Sequence, residues 1–435
     1  MKKDIVAVVL AGGEGKRFWP IQTSKSMIPF LGRPLLVWNL QRLKLTGIAD
    51  VVVVIHPQDK ETFAHLSVPG LTIRTVVQPQ PNGMAGAVLS AAPLLKGKSC
   101  FIMNAEDLVE EKLYEALKSA MNGQEIVLAG IKKRQYFPAG HFVLKGEHIV
   151  GIVEKPGEGN QPSDFINLVF HYFPDSDLFI DALQTATSAR DDLYECALND
   201  LIGDGKARIF KYEGFWYPTK YPWHILSIMD ALLPCVLDYR GKNVEIKSNV
   251  VVDGPVHLGD NVKIFEHTKI VGPCFIGDNT IIGNNNIIRH SQIGAGCVTG
   301  FNTDITRSYI GDNCWFHSNY IGDSILEEDV SMGSGNVLAN LRLDEGEIHS
   351  VVRGEKINTK RTKLGAIIGR HVRLGVNTSV MPGVKIGAHS MIGAGLMVDR
   401  DVPDGSFVAG GTSLVISKNT RIQQCNRDAF RKKLS

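Results

Sequence analysis

The sequence lacks the marks of several protein classes. It has no apolar run long enough for a transmembrane helix, and the run Ile5–Leu10 is too short for a signal peptide. Neither sign of charge dominates, since 47 basic and 45 acidic residues give a net charge of +2, which argues against a nucleic-acid partner. The seven cysteines are scattered without a CxxC pair, so we expect reduced thiols rather than disulfides or zinc. These absences predict a cytoplasmic protein with no membrane partner.

The first half of the 435 residues alternates strand and helix patterns. Val51–Ile55 is a β-branched run typical of a strand buried on both faces, and residues 101–103 and 126–129 read similarly. Residues 34–46 and 113–121 carry apolar side chains at helical spacing. This alternation predicts an α/β, Rossmann-like domain with a mostly parallel sheet and helices on both faces. We place this domain at residues 1–238.

The second half follows a six-residue apolar repeat that neither a helix nor an ordinary strand produces. A coil with three short faces, each burying one aliphatic side chain, does produce it, so residues 239–418 are expected to form a left-handed parallel β-helix. A charged segment between Leu341 and Lys363 interrupts the repeat and is expected to form an extruded loop, and residues 419–435 form a tail. The repeat positions are Leu258, Ile264, Ile270, Ile276, Ile282 and Ile288, then Ile368, Leu374, Val380, Ile386 and Ile392.

A glycine-rich segment, LAGGEGKRFWP, follows the first predicted strand directly. Glycines at this place let backbone N–H groups approach a triphosphate closely. Arg17 can neutralise phosphate charge, and Lys25 can add a second positive charge. The segment is neither a Walker loop nor a dinucleotide fingerprint, because Phe18 stands where GxGxxG needs its last glycine.

The segments LAGGEGKRFWP, SKSMIPFLGRPLL, QPQPNGMAGAV and VEKP occur in this order. Over about residues 4–235 the chain thereby resembles the sugar-phosphate nucleotidyltransferase family. The resemblance implies an enzyme in which a sugar phosphate attacks the α-phosphorus of a nucleoside triphosphate, with Mg²⁺, Arg17 and Lys25 neutralising charge. It assigns nucleotide binding to Leu10, Ala11, Gly12, Gly13, Gln78 and Gly83, and sugar-phosphate binding to Gly140, Glu154, Lys155, Asn167 and Lys220.

Two departures from the family pattern concern the metal. Where the family has Gly-Asp, this chain has Asn104-Ala105-Glu106-Asp107, so the ligand role is assigned to Asp107 with Glu106 second. Where the family's second carboxylate stands, this chain has Pro218. Either Lys220 supplies positive charge instead, or Mg²⁺ is held by one carboxylate and phosphate oxygens.

The segments FHSNYIGD, ANLR and KLGAIIG carry a second resemblance, over about residues 244–410. They are similar to the acetyltransferase domain of bifunctional glucosamine-1-phosphate acetyltransferase/N-acetylglucosamine-1-phosphate uridylyltransferases, above all the archaeal type. The resemblance makes His317 the general base that accepts a proton from the sugar amine. It assigns the sugar phosphate to Arg289, Arg307, Tyr320 and Asn340, and acetyl-CoA to Ser334 and Ala394. Ser331 stands where the bacterial enzymes carry an asparagine.

The combined resemblance implies a bifunctional homotrimer that acetylates glucosamine-1-phosphate, or a related aminosugar-1-phosphate, and then transfers a uridylyl group from UTP. Gln78 fits uracil and thymine equally, so dTTP stays open as the nucleotide, and the sugar stays open between gluco and galacto forms. Three alternatives also stay open. The first is a pyrophosphorylase making UDP- or dTDP-sugars with a purely structural β-helix, and the second is a degenerate regulatory subunit that binds sugar nucleotides without turnover. In the third, only the acetyltransferase works.

Overall fold

The computed structural model describes residues 3–121, 123–133, 135–146, 148–190, 192–203 and 207–410. The predicted tail at 419–435 lies outside these residues. No helix in the described part of the chain has the length and apolarity to cross a membrane. The six cysteines within these ranges form no disulfide.

A nine-stranded sheet organises the first half, with the order β10-β9-β11-β6-β1-β4-β5 and with β8 and β12 added beside β11. The N-terminal strands are β1 (Ile5–Ala11), β2 (Pro29–Phe30), β3 (Arg33–Pro34), β4 (Asp50–Ile55), β5 (Thr72–Val77), β6 (Ser99–Asn104), β7 (Asp107–Val109), β8 (Ile126–Lys132), β9 (Gly140–Lys145), β10 (His148–Glu154), β11 (Phe165–Phe173), β12 (Ala207–Tyr212) and β13 (Trp216–Pro218). Strand β1 pairs in parallel with β4 and β6, but β11 runs antiparallel to β6, β8 and β9. The sheet is therefore mixed, and the prediction of a mostly parallel sheet was wrong. Apolar periodicity indicates which residues are buried but carries no information about strand direction.

Two helical layers cover this sheet. The helices are α1 (Leu35–Leu43), α2 (Lys60–Phe63), α3 (Gly83–Leu95), α4 (Glu111–Ala120), α5 (Ser176–Thr185), α6 (Leu193–Gly203) and α7 (His224–Leu232). Ala7 and Val9 of β1 pack with residues of α1 and α4, whereas Val6 and Val8 pack with residues of α3, α5 and α6. Successive side chains of a strand point to opposite faces, so one short apolar strand anchors both layers.

Three parallel sheets form the sides of the left-handed β-helix in the second half. The first face comprises Tyr239–Arg240, Val256–Leu258, Cys274–Ile276, Gln292–Ile293, Tyr309–Ile310, Ile325–Leu326, Ile367–Ile368 and Lys385–Ile386. The second comprises Glu245–Ile246, Lys263–Ile264, Ile281–Ile282, Val298–Thr299, Trp315–Phe316, Ser331–Met332, Arg373–Leu374, Met391–Ile392 and Phe407–Val408. The third comprises Val251–Asp253, Lys269–Val271, Ile287–Arg289, Asp304–Thr306, Tyr320–Gly322, Val337–Leu338, Ser379–Val380 and Met397–Val398.

The six-residue repeat explains this coil. Ile264 and Ile282 stack on the second face, and every predicted repeat position is buried in one continuous apolar column. At the corners, Asn261 and Asn279 adopt φ values of 60° and 58° and are joined by a side-chain hydrogen bond of 2.9 Å. Asparagine tolerates this left-handed backbone better than bulky residues do, so the turns cost little.

The interruption after Leu341 is a β-hairpin rather than the expected loop. Its strands, His349–Val352 and Glu355–Asn358, pair antiparallel, and we refer to them as the insertion hairpin. An isolated antiparallel β-bridge between Leu341 and Lys363 joins the two ends of the inserted segment. The coil then resumes at Ile367–Ile368, which pairs directly with Ile325–Leu326.

The first face of the β-helix packs against the N-terminal half. Phe275, Tyr309 and Ile325 share one apolar cluster with Phe30 and with residues of α7. The Tyr309 hydroxyl donates to the Pro29 carbonyl at 3.0 Å. These contacts fix the segment between β1 and α1, which carries the predicted phosphate-binding residues, on the surface of the coil.

Candidate functional sites

A cleft of about 820 Å³ opens at the carboxyl ends of β1, β5 and β6. It gathers most of the residues predicted for nucleotide and sugar phosphate, although these are spread over some two hundred positions of the chain. The predicted residues that line it are Leu10, Gly12, Gly13, Arg17, Lys25, Gln78, Gly83, Asp107, Gly140, Glu154, Asn167 and Lys220. Ala11 is buried at the end of β1 and does not line the cleft, and Lys155 lines an adjoining cavity of about 600 Å³ while its ammonium pairs with Glu154 at 2.8 Å.

Gln78 holds the glycine-rich loop and the start of α3 together. Its buried amide nitrogen donates to Asn82 Oδ1 and to the Gly83 carbonyl, both at 3.0 Å. A Cβ atom on Gly12 would lie 2.6 Å from Gln78 Oε1, so any larger residue there would displace the Gln78 amide. The predicted base-binding residues Gln78 and Gly83 are thus held together by a hydrogen bond where α3 begins at the cleft.

Two cations face the cleft in different states. Arg17 is exposed, and among the described residues its guanidinium makes no hydrogen bond or ion pair. Lys25 is mostly buried and pairs with Glu106. The Arg17 guanidinium is therefore free to bind a phosphate. The Lys25 ammonium is instead oriented by Glu106, the second candidate for the metal ligand.

Asp107 is a buried carboxyl group at the start of β7, where the β7–β13 ladder places it opposite Pro218. Burial, followed by the negative charge of Glu106, raises the pKa of the Asp107 carboxyl to about 6. In the described part of the chain, no three His, Cys, Asp or Glu side chains converge as in a protein-only metal cage. A buried carboxylate facing a phosphate-binding cleft nevertheless suits Mg²⁺, which takes one or two carboxylates and completes its coordination with phosphate oxygens.

Lys220 lines the same cleft as Glu154. Its ammonium donates to the Pro138 carbonyl at 2.5 Å and lies 4.7 Å from the centre of the Phe137 ring. Burial, followed by the nearby positive charge of Arg17, lowers the pKa of Lys220 to about 7. A bound anion would restore its full charge, because an opposite charge favours the protonated ammonium.

A buried chain of hydrogen bonds behind Asn167 was not predicted. His171 Nε2 lies 2.9 Å from Asn167 Oδ1, and His171 Nδ1 lies 2.8 Å from the Tyr194 hydroxyl. Burial lowers the pKa of His171 to about 3, so its ring is neutral. The ring therefore donates to Asn167 and accepts from Tyr194, which leaves the Asn167 amide hydrogens for the cleft.

The predicted acetyltransferase residues lie along the two edges of the third face. At one edge, Arg307 forms a bidentate pair with Asp323 at 2.7 Å, and the Asn340 amide donates to the same carboxylate at 2.5 Å. Tyr320 reaches the same place, since a Cβ atom on Gly322 would lie 2.7 Å from its hydroxyl oxygen and 2.5 Å from the Asn340 amide nitrogen. In addition, Arg289 pairs with Asp304 one coil earlier, at 2.8 Å.

His317 occupies the other edge of the third face. It is exposed, and among the described residues its imidazole has no hydrogen-bond partner. Backbone bonds stack its corner on those of the following coils, from Gly335 to Ser318 at 2.8 Å and from Asn377 to Ser334 at 2.9 Å. The next corner in the same column carries Ala394. The predicted base and both predicted acetyl-CoA residues thus share one edge of the coil.

Comparisons with known proteins agree with both halves. The family model for nucleotidyl transferases matches residues 6–217, and the model for the bacterial transferase hexapeptide, six repeats, matches residues 365–400. The bifunctional sugar-1-phosphate nucleotidylyltransferase/acetyltransferase of Sulfurisphaera tokodaii is 33% identical over 413 residues, which cover 92% of this chain and 99% of that protein. The bifunctional protein GlmU of Methanocaldococcus jannaschii is 32% identical over 95% of this chain and 99% of its own. A glucose-1-phosphate thymidylyltransferase of Streptomyces griseus is 25% identical over 85% of this chain and 93% of its own.

Proposed function

Because the chain belongs to the family of bifunctional sugar-1-phosphate nucleotidylyltransferases/acetyltransferases, we propose that it modifies one aminosugar-1-phosphate twice. The β-helix acetylates glucosamine-1-phosphate with acetyl-CoA, and the N-terminal domain then joins the product to UTP, releasing pyrophosphate. The observation that carries this proposal is the cleft, where the glycine-rich loop, two cations and a buried carboxylate surround a volume that suits a nucleotide and a sugar phosphate.

In the nucleotidyl transfer, an oxygen of the sugar phosphate attacks the α-phosphorus in line and pyrophosphate leaves. Arg17 and Lys25 stabilise the charge on the α-phosphoryl oxygens and on the leaving group, in an orientation that Glu106 fixes for Lys25. Glu154, Asn167 and Lys220 hold the sugar phosphate, and Gln78 with Gly83 contacts the base. Asp107 would hold Mg²⁺, which supplies further neutralisation of phosphate charge.

In the acetyl transfer, His317 accepts a proton from the ammonium of the sugar, and the free amine attacks the thioester carbonyl of acetyl-CoA. The tetrahedral intermediate collapses as its C–S bond breaks, and the CoA thiolate that leaves takes up the second proton, which the amide nitrogen gives up. Arg307, Tyr320 and Asn340 bind the sugar phosphate at the opposite edge of the third face, and Arg289 adds charge one coil away. Ser334 and Ala394 contact acetyl-CoA. A homotrimer formed through the flat faces of the coil is part of this proposal.

A reaction with glucosamine-1-phosphate, acetyl-CoA, UTP and Mg²⁺ tests the proposal when free CoA and pyrophosphate are followed separately. We expect CoA release without UTP, and pyrophosphate release only after acetylation. His317→Asn should abolish CoA release yet keep pyrophosphate release from the acetylated sugar phosphate, and Lys25→Met should do the reverse. Pyrophosphate without CoA from any aminosugar-1-phosphate would refute the acetyltransferase role and leave the β-helix as a scaffold. Binding of UTP without either product would refute the enzyme assignment in favour of a sensor.

A further inference from the structure

The insertion hairpin has a two-residue turn whose backbone does not suit its sequence. The pairing of Val352 with Glu355 leaves Arg353 and Gly354 as the turn residues, with φ values of 53° and 84°. Two successive positive φ angles define the turn type for which Asn-Gly is the favoured pair. An L-residue with a long side chain pays about 1 kcal/mol or more for this conformation. The turn geometry therefore gives no reason for an arginine at position 353.

The Arg353 side chain lines the nucleotidyltransferase cleft, although it belongs to the β-helix half of the chain. It is exposed, and among the described residues its guanidinium makes no hydrogen bond or ion pair. Lys25 and Lys155, in contrast, pair with carboxylates. A free guanidinium facing a glycine-rich loop suits a phosphate, which it binds in a bidentate manner.

The hairpin and Arg17 both lie near the Tyr221 phenol. Burial raises the pKa of the Tyr221 phenol, the charge of Arg17 acts to lower it, and the charge of Glu355 acts to raise it. Both charged groups therefore lie within electrostatic reach of one phenol. Arg353 and Arg17 both line the cleft, as do Gly12, Gly13 and Gly15 of the glycine-rich loop.

The hairpin is also fixed in place. Ile348 and Val352 are buried in the apolar cluster that includes α7. The Lys385 ammonium, whose side chain is 1% exposed, donates to Ser350 Oγ at 3.1 Å and to the Val351 carbonyl. Arg361 reaches Ser227 Oγ of α7 at 3.3 Å. Anchors on both halves of the chain hold the turn at the mouth of the cleft.

We propose that Arg353 binds the β- and γ-phosphates of the nucleoside triphosphate and stabilises the pyrophosphate that leaves. The attacking oxygen forms its bond to the α-phosphorus, and the bond from that phosphorus to the bridging oxygen breaks with its electron pair on pyrophosphate. The Arg353 guanidinium stabilises the negative charge that accumulates on the leaving pyrophosphate. The β-helix thus completes the active site of the other domain. This inference rests on the proposed nucleotidyl transfer.

The variant Arg353→Asn tests this role because Asn-Gly suits the turn, so the hairpin keeps its structure while the guanidinium is lost. The matched control is Lys356→Gln, which removes an exposed charge from the same hairpin outside the cleft. For Arg353→Asn we expect kcat/KM for UTP to fall, and the KM for pyrophosphate in the reverse reaction to rise, by roughly ten- to hundredfold, the worth of one charge-assisted hydrogen bond. The KM for the sugar phosphate and CoA release should stay at wild-type values. The unfolding midpoint should not fall, and a small rise is expected because asparagine adopts this positive φ more readily than arginine.

Titration calorimetry with inorganic pyrophosphate separates this inference from the proposed function. Weaker pyrophosphate binding by Arg353→Asn than by Lys356→Gln supports the phosphate contact even if wild-type protein turns over no UTP, which would refute only the proposed reaction. If wild-type protein is active but Arg353→Asn matches Lys356→Gln in pyrophosphate binding and in both KM values, the inference is wrong. It is equally wrong if the loss falls on the KM for the sugar phosphate.

Discussion

Glu327 joins the two halves of the chain at the segment between β1 and α1. Its carboxylate follows the sixth strand of the first face and is 6% exposed. It accepts hydrogen bonds from the Thr23 amide at 2.8 Å and from the Thr23 hydroxyl at 2.7 Å, and it pairs with Arg370 at 2.9 Å. The Arg370 guanidinium also donates to the Thr23 hydroxyl. The carboxylate therefore fixes a segment that reaches Lys25 two residues later.

We expect Glu327→Ala to lower the free energy of unfolding by about 3 kcal/mol. Removing one partner of a buried ion pair typically costs about 3–5 kcal/mol, because the other charge stays buried without compensation. The lower end applies here, since the Arg370 side chain is 25% exposed and regains some water. Nucleotidyl transfer should fall as well, because Lys25 loses its support, while CoA release should be kept.

Guanidinium unfolding of the full chain, followed by fluorescence, measures the first effect, and separate CoA and pyrophosphate assays measure the second. The matched control is Glu328→Ala, since the Glu328 side chain is 44% exposed and makes a single ion pair with Arg370 at 3.2 Å. This control should cost less than about 1 kcal/mol. If the two variants lose equal stability, or if Glu327→Ala keeps wild-type pyrophosphate release, the carboxylate does not join the halves as described.

Three further predictions concern the cleft. His171→Phe should raise the KM for the sugar phosphate by about tenfold, because Asn167 loses the donor that orients it, whereas Tyr194→Phe should keep that KM. Burial raises the pKa of Glu195 to about 8, so the folded state binds the extra proton between pH 4.5 and 8 and wild-type stability falls as pH rises through this window. Glu195→Gln should therefore gain about 2 to 4 kcal/mol over wild type above pH 8 and little below pH 5, measured by urea unfolding. Chelation of divalent cations should stop pyrophosphate release but not CoA release.

The sequence carried most of the fold because both halves have local periodicities. The eleven repeat positions named from the sequence are all buried in the coil, since each face repeats the same inward side chain. Between Ile288 and Ile368 the buried positions, such as Ile305 and Ile321, were not assigned. The short apolar runs at 51–55, 101–103 and 126–129 located β4, β6 and β8. The direction of the strands could not be predicted from these runs, because β11 pairs antiparallel with β6 and β8, which are distant along the chain. The roles of individual site residues remain predictions, although the structure gathers most of the N-terminal set in one cleft.

The ion pairing and protonation of individual side chains could not be predicted from the sequence either. The pairing of Lys25 with Glu106 joins residues 81 positions apart, and no motif signals it. His171 gave no signal either, because an isolated histidine in an apolar strand looks like ordinary core. Its relation to Asn167 follows only from the tertiary structure, in which burial keeps the ring neutral and the hydrogen bonds to Asn167 Oδ1 and the Tyr194 hydroxyl set its tautomer.

By itself, the sequence determined the two architectures, the glycine-rich loop and the motifs that mark both predicted sites. Each of these depends on residues that are close along the chain or repeat at a fixed period. Only the tertiary structure decided that the charged interruption of the coil is a hairpin docked on α7, with Arg353 at the mouth of a cleft built by the other half. Arg353 and Arg17 are separated by more than three hundred residues, and packing between the two domains, which no local pattern encodes, brings them to the same cleft.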